Sequence, residues 1–289
     1  MNGLLFPGQG SQAVGMGMSL CNCYPNAAEL LMKANDILGY DLKELMMNGP
    51  ADTLTDTVFA QPAIFTCSAM YMEKLRDLEI DFEYVAGHSL GEYSALYAAG
   101  VFSFEQGLRL VAERGKAMGR MNGRGTMAAI LGMTEDELGS YVNRIESIVM
   151  ANLNTKTQIV VSGDIKGIIE LERLLDNRED VKIVHLSVSA AFHSPHMEEA
   201  KEHMKKMINN ASFHAPICYV VSNVSGKPTK DIGEIKKNLI DQITGQVRWY
   251  DSIMSIKAAG VTCLYEVGYG DVLKKMNKAI TLKPKCISI

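Results

Sequence analysis

The chain has 289 residues, with 29 basic against 33 acidic side chains and a formal net charge of −4. That length suits one large domain or two smaller ones, and 47% apolar against 21% charged residues is a globular composition, not a disordered one. No Lys/Arg run is long enough to neutralise several phosphates, and no apolar stretch approaches the roughly 20 residues of a membrane span, so neither nucleic acid nor membrane is an expected partner. The start, Met1-Asn2-Gly3-Leu4-Leu5-Phe6, has no basic lead and breaks at Pro7-Gly8, so no signal peptide is expected. Six scattered cysteines (Cys21, Cys23, Cys67, Cys218, Cys263, Cys286) contain no Cys-x-x-Cys pair and read as a reduced, cytoplasmic set without a metal. The eighteen methionines read as adaptable core filling.

Residues 3–6 read as a strand that stops at Pro7-Gly8. Over 26–38 the residues Leu30, Leu31, Ala34, Ile37 and Leu38 recur at helical spacing, and a second helix runs over 62–78. Residues 83–87 form a short strand followed at once by a helix over 90–99, and 104–121 is helical again. The glycine-rich Asn122-Gly123-Arg124-Gly125 then reads as a hinge. Beyond it come a strand at 127–131 and the capping box Thr134-Glu135-Asp136-Glu137, opening a helix to 145. Strands at 148–151 and 158–162, a helix capped by Asp164 and running to 175, and a strand at 181–186 complete the order β-α-β-β-α-β. This is a small ferredoxin-like domain, 123–187, inserted into a large α/β-hydrolase-like domain made of 1–122 and 188–289. The large domain resumes with a helix at 197–208, a strand at 217–221, helices at 231–243 and 250–259, a strand at 263–267 and a helix at 271–280.

The strongest chemical signal is Gly87-His88-Ser89-Leu90-Gly91 between a strand and a helix, the pattern of a nucleophile elbow. Small residues must flank so tight a turn. The Ser89 hydroxyl then projects at the helix start, and the Leu90 N–H points at any oxyanion formed there. A serine of ordinary acidity needs a base, usually histidine. Among the six histidines, His203 reads as solvated in a charged helix, His185 as a packed strand residue and His214 as a loop residue without a partner. His88 belongs to the elbow itself. His193 and His196 share the turn Ala190-Ala191-Phe192-His193-Ser194-Pro195-His196-Met197, and spacing leaves both open as the base.

The loop Pro7-Gly8-Gln9-Gly10-Ser11-Gln12 offers the Gln9 N–H as a second oxyanion donor. A dinucleotide reading of Gly8, Gly10 and Ala13 fails, because no acidic residue ends a second strand about twenty positions on. Arg114, within Ala112-Glu113-Arg114-Gly115-Lys116, reads by itself as a helix-surface arginine. Buried, its planar fork would instead hold a carboxylate.

At these residues the sequence resembles the malonyl-CoA:acyl carrier protein transacylases, most of all the stand-alone acyltransferases that serve polyketide synthases in trans. The shared segments are Phe6-Pro7-Gly8-Gln9-Gly10-Ser11-Gln12, Gln61-Pro62-Ala63, Gly87-His88-Ser89-Leu90-Gly91-Glu92, Arg114-Gly115, Asn152-Leu153-Asn154, Ala191-Phe192-His193-Ser194 and Tyr265-Glu266-Val267-Gly268. They run in family order across essentially the whole chain. The resemblance implies Ser89 as the acylated nucleophile, His193 as its base, and Gln9 and Leu90 as oxyanion donors. It further implies Arg114 as a clamp on a malonyl carboxylate, with Gln61, Asn154 and Phe192 in the substrate pocket. It also implies that a backbone carbonyl orients the histidine, and places that carbonyl at Arg248 in Gln246-Val247-Arg248-Trp249. The usual first residue of that motif is proline, so Gln246 is a departure.

Family members with Ala-Phe-His at this point tend to take malonyl, and those with Ala-Ser-His methylmalonyl. The expected function is ping-pong transfer of malonyl from malonyl-CoA to the phosphopantetheine thiol of an acyl carrier protein, for polyketide or fatty-acid synthesis. The loop wording leans toward the polyketide side. No permanently bound cofactor is expected, the protein is expected to be a monomer, and the carrier is expected to come from another chain. An editing acyl hydrolase of the same superfamily and a non-catalytic carrier-docking scaffold are the alternatives. Arg114 counts against the first, since such hydrolases tend to lose it, and the intact Ser89, His193 and Arg114 count against the second.

Overall fold

The structure, a computed structural model, describes residues 1–188, 190–281 and 285–289. Among the described residues the strands are, in chain order, β1 (Asn2–Phe6), β2 (Tyr84–Gly87), β3 (Thr126–Leu131), β4 (Ile148–Thr155), β5 (Gln158–Gly163), β6 (Lys182–His185), β7 (Tyr219–Val221), β8 (Pro228–Thr229), β9 (Cys263–Glu266) and β10 (Lys285–Ser288). They form two sheets. The larger has the order β10-β9-β1-β2-β7-β8 and is parallel except at its β7–β8 edge.

β1 shows why the large sheet is buried on both faces. Successive side chains of a strand point to opposite sides. Leu4 and Phe6 enter the core that contains Phe65, Leu96 and Val111, whereas Leu5 enters the one with Trp249, Ile253 and Leu264. A parallel sheet covered by helices on both faces needs such continuous apolar runs.

The second sheet has the antiparallel order β4-β5-β3-β6, with helices Glu135–Val142 and Ile165–Leu175 as its two crossovers. Numbered within the unit the order is 2-3-1-4, the ferredoxin-like pattern. It has its own core around Ile130, Leu138, Ile159 and Leu171. The expected capping box is present, with the Thr134 side chain accepting from the Glu137 N–H and Glu137 reaching back.

Three local expectations change. The helix expected from residue 62 runs Thr57–Asp77 with Pro62 inside it, and Asp56 caps it. Every residue from Ala60 to Met70 is buried, so packing on all sides outweighs the one lost backbone bond. Asp164 stands at the N-cap of Ile165–Leu175, but its carboxylate is not the cap; it pairs with His196 Nε2 at 2.8 Å. Short elements (helices Met18–Cys23, Leu42–Asn48 and Ala51–Thr55, strands β8 and β10) are additions to the expected order.

The two parts are joined by backbone as well as side chains. The Val247 N–H donates to Ala151 O at 2.8 Å, and the Leu153 N–H donates to Val247 O at 2.8 Å. These bonds form a parallel bridge between β4 and the segment before helix Trp249–Ala258. Among the described residues no helix is long and apolar enough to cross a membrane.

Candidate active site

The carboxyl ends of neighbouring parallel strands bring the site together, as in other open α/β sheets. β1 delivers the Gln9 loop, β2 the Ser89 elbow and β7 the segment Ser222-Asn223. Sterics fix the elbow: a Cβ on Gly87 would lie 1.9 Å from the Gly91 carbonyl carbon, and one on Gly91 would lie 2.0 Å from Phe6 O. Only glycine fits at either place. Ser89 itself has φ 51°, and His193 has φ 56°. Two non-glycine residues in left-handed backbone are held there by surrounding contacts, and both carry candidate chemistry.

The side chains converge on a cavity of about 450 Å³ lined by Gln9, Ser89, Leu90, Arg114, Asn154, Phe192 and His193 among others. Ser89 Oγ lies 2.7 Å from His193 Nε2. His193 Nδ1 lies 2.8 Å from Gln242 O. A carbonyl can only accept, so Nδ1 carries the proton and Nε2 presents its lone pair to the serine. Burial, and then the nearby Arg114 charge, hold His193 down to about 3, so the imidazole is neutral at working pH.

Arg114 is 1% exposed, far from the surface position its sequence context suggests. Nη1 donates to Gln61 Oε1 at 2.8 Å, and Nη2 donates to Gln242 Oε1 at 3.0 Å and to Ser89 Oγ at 3.1 Å. All three partners are neutral. A guanidinium buried beside a nucleophile without a hydrogen-bonded carboxylate invites one from a ligand.

The other expected residues fall as follows. Among the described residues neither the Gln9 nor the Leu90 N–H is taken by a protein acceptor, and both residues line the cavity. The Gln9 side chain is anchored where Oε1 accepts from Thr57 Oγ1 at 2.6 Å. Asn154 Oδ1 lies 2.9 Å from His88 Nε2, so it reaches the pocket from β4 while holding the elbow histidine. Phe192, 7% exposed, stands beside His193 in the wall. The remaining histidines lie elsewhere: His185 is exposed and pairs with Glu172 at 2.6 Å, His203 pairs with Glu113 at 3.1 Å, and the His214 N–H donates to Val101 O at 2.8 Å.

One expectation is corrected. The carbonyl facing His193 belongs to Gln242, not to Arg248. Arg248 is the N-cap of helix Trp249–Ala258, so its carbonyl is already bonded by the Ser252 N–H at 3.0 Å and Ser252 Oγ at 2.9 Å. Gln242 caps the C-terminus of helix Ile232–Asp241, where carbonyls lack intrahelical partners and the helix dipole is negative. The Arg248 side chain instead reaches Glu135 at 3.2 Å, and its Nη1 donates to Gln246 Oε1 at 2.6 Å. The glutamine in place of proline therefore serves this surface ion-pair cluster.

Three residues of the site were missed: Gln242, Glu92 and Asn223. Asn223 holds the elbow from behind, accepting from the Ser89 N–H at 2.7 Å and donating to Gly87 O at 2.6 Å. A signal for Gln242 exists in the sequence. Ile235, Asn238 and Leu239 form a buried stripe that continues at helical spacing to Gln242, a polar residue on an apolar face.

A strained serine bonded to a neutral, carbonyl-oriented histidine, with free N–H groups alongside, is the equipment of nucleophilic acyl transfer. The pattern of the family described as "Acyl transferase domain" matches residues 4–244. The chain belongs to that family. It is 40% identical over 274 residues to the polyketide biosynthesis malonyl CoA-acyl carrier protein transacylase PksC of Bacillus subtilis (strain 168), covering 93% of each protein. It is also 40% identical over 283 residues to the polyketide biosynthesis protein ThaF of Burkholderia thailandensis, covering 97% of this chain but only 24% of that longer protein. The crystal structure of acyl-carrier-protein-S-malonyltransferase from Bartonella henselae superposes with a TM-score of 0.95 at 36% identity, over 100% of this chain and 95% of that one.

Proposed function

We propose that the chain transfers a malonyl group from malonyl-CoA to the phosphopantetheine thiol of an acyl carrier protein, through a malonyl ester on Ser89. The observation that carries this reading is the buried Arg114, which hydrogen-bonds to neutral partners and lies within 3.1 Å of the Ser89 hydroxyl. Ser89 Oγ gives its proton to His193 Nε2 as it attacks the thioester carbonyl. The N–H groups of Gln9 and Leu90 hold the tetrahedral oxyanion. As the C–S bond breaks, the imidazolium returns the proton to the leaving coenzyme A thiolate. In the second half the carrier's thiol attacks the ester and the proton runs the other way, regenerating Ser89. Arg114 pairs with the free malonyl carboxylate throughout, and that charge offsets one of the three causes that depress His193.

The test is to incubate the protein with malonyl-CoA and follow mass on the Ser89 peptide, then add a holo carrier. A malonyl adduct that moves to the carrier is expected. Fast release of free malonate without a carrier would instead favour an editing hydrolase, and no adduct would favour a scaffold.

Phe192 is proposed to fill the space that a methyl branch on the acyl group would need. Phe192→Ser should raise the methylmalonyl-to-malonyl ratio of kcat/KM by on the order of tenfold, since one methyl in an apolar pocket is worth about 1–3 kcal/mol. An unchanged ratio would remove Phe192 from specificity. The names of PksC and ThaF support a polyketide pathway, and assays with carriers from both pathways would decide it. We take 123–187 as the inserted domain, the chain as a monomer, and its place as the cytoplasm, where six unbridged cysteines are stable.

A further inference from the structure

Glu92 is 3% exposed beneath the elbow, and none of the steps above uses it. Its Oε2 accepts from Gln242 Nε2 at 2.7 Å and from the Asn223 N–H at 3.4 Å. Gln242 Nε2 also donates to Ser89 O at 2.9 Å, while Gln242 Oε1 accepts from Arg114 Nη2 at 3.0 Å. The two ends of one amide thus face opposite demands. A carboxylate can only accept, and a guanidinium can only donate.

We propose that Glu92 is a positioning residue for acyl-group selection: its carboxylate fixes the Gln242 amide with Oε1 toward Arg114, and so holds the guanidinium at the acyl end of the cavity. The inference rests on the reading of Arg114 as the carboxylate clamp. Turned over, the amide would set NH₂ against the Arg114 donors and a carbonyl oxygen against the Glu92 carboxylate. Both contacts are repulsive, and the site is too buried for water to screen them. A protonated Glu92 loses this discrimination, because a carboxylic acid donates as well as accepts.

Burial pushes Glu92 up to about 7, against the pull of its bonds from Gln242 and Asn223 and of the Arg114 charge. The groups facing it are Arg114 from helix Phe104–Gly119, Gln242 from the end of Ile232–Asp241, Ser222 and Asn223 after β7, and the buried Tyr93 next to it in the chain; Arg114 and Tyr93 are the titratable ones, and Arg114 is the charged one. Above that pH the ionised carboxylate locks the amide, and below it the lock is released. His193 titrates far lower, so the two ionisations are separable.

The experiment measures kcat/KM for malonyl-CoA and acetyl-CoA from about pH 5.5 to about 8.5. In the unmutated protein the malonyl-over-acetyl ratio should fall about tenfold as pH drops through the Glu92 transition, the scale of one charge-assisted hydrogen bond. Glu92→Gln, whose amide accepts or donates equally well, should show the low ratio at every pH. Gln242→Met keeps the backbone carbonyl under His193 and should lower the ratio similarly. Adding Glu92→Gln to it should lower the ratio no further. A flat ratio in the unmutated protein, a Glu92→Gln profile that follows it, or additive losses in the double variant would each overturn the proposal. Should Glu92→Gln fail to fold, the unmutated profile still decides. Arg114→Ala separates the two readings: if it abolishes the malonyl preference while Glu92→Gln does not, the clamp stands and the positioning role falls.

Discussion

Ser89→Ala should lower malonyl transfer by about 10⁴- to 10⁶-fold, the range seen when an activated serine nucleophile is removed. The fold should persist, because alanine needs no more space and the elbow is held by bonds that leave the hydroxyl out. The Ser89 N–H bonds to Asn223 and the Ser89 carbonyl to Gln242. Binding of malonyl-CoA should therefore survive, and rapid-quench and mass measurements should find no acyl-enzyme. A variant that still accumulates a transferable malonyl adduct would show that another residue carries the group.

Arg114→Ala should reduce malonyl kcat/KM by about 10²- to 10⁴-fold, because a buried carboxylate left without its partner costs about 3–5 kcal/mol. Acetyl transfer should be spared or improved. The same variant tests the electrostatics of the base. The Arg114 charge is the second cause, after burial, of the depressed His193 basicity. Its removal raises the histidine pKa, so the imidazole becomes protonated, and inactive as a base, at higher pH than before. The acid limb of acetyl transfer should accordingly move upward in pH. A malonyl/acetyl preference identical to that of the unmutated protein would end the clamp assignment.

Much of this architecture was readable because local patterns were strong. The alternation of strands and helices, the Thr134 capping box and the split β-α-β-β-α-β unit all follow from periodicity and turn chemistry. Ser89 was readable from two glycines that admit no Cβ. His193 was only one of two candidates until the resemblance selected it, because His193 and His196 lie three residues apart and the backbone turn between them sets which faces the serine. Arg114 misled on sequence, since a charged neighbourhood on a helix normally means solvent. Its burial depends on Gln61 and Gln242, which are distant in sequence and reach it only in the folded chain. The histidine's carbonyl was misplaced for a related reason. Backbone groups carry no sequence label, and only the helix ends reveal that Arg248 has spent its oxygen while Gln242 has not.

The backbone bridge through Val247 bears on how the protein measures its substrate. It fastens Ala151 and Leu153 on either side of Asn152, two residues before the Asn154 that holds the elbow histidine. Jaws joined by main-chain bonds beside the bite have a set gap. On the proposed reading of Phe192, acyl groups are gauged by the side chains lining that gap and not by how far one half swings toward the other. Such a gauge reads length and branching identically whether the acyl group arrives on coenzyme A or leaves on a carrier, so one selection governs both halves of the exchange.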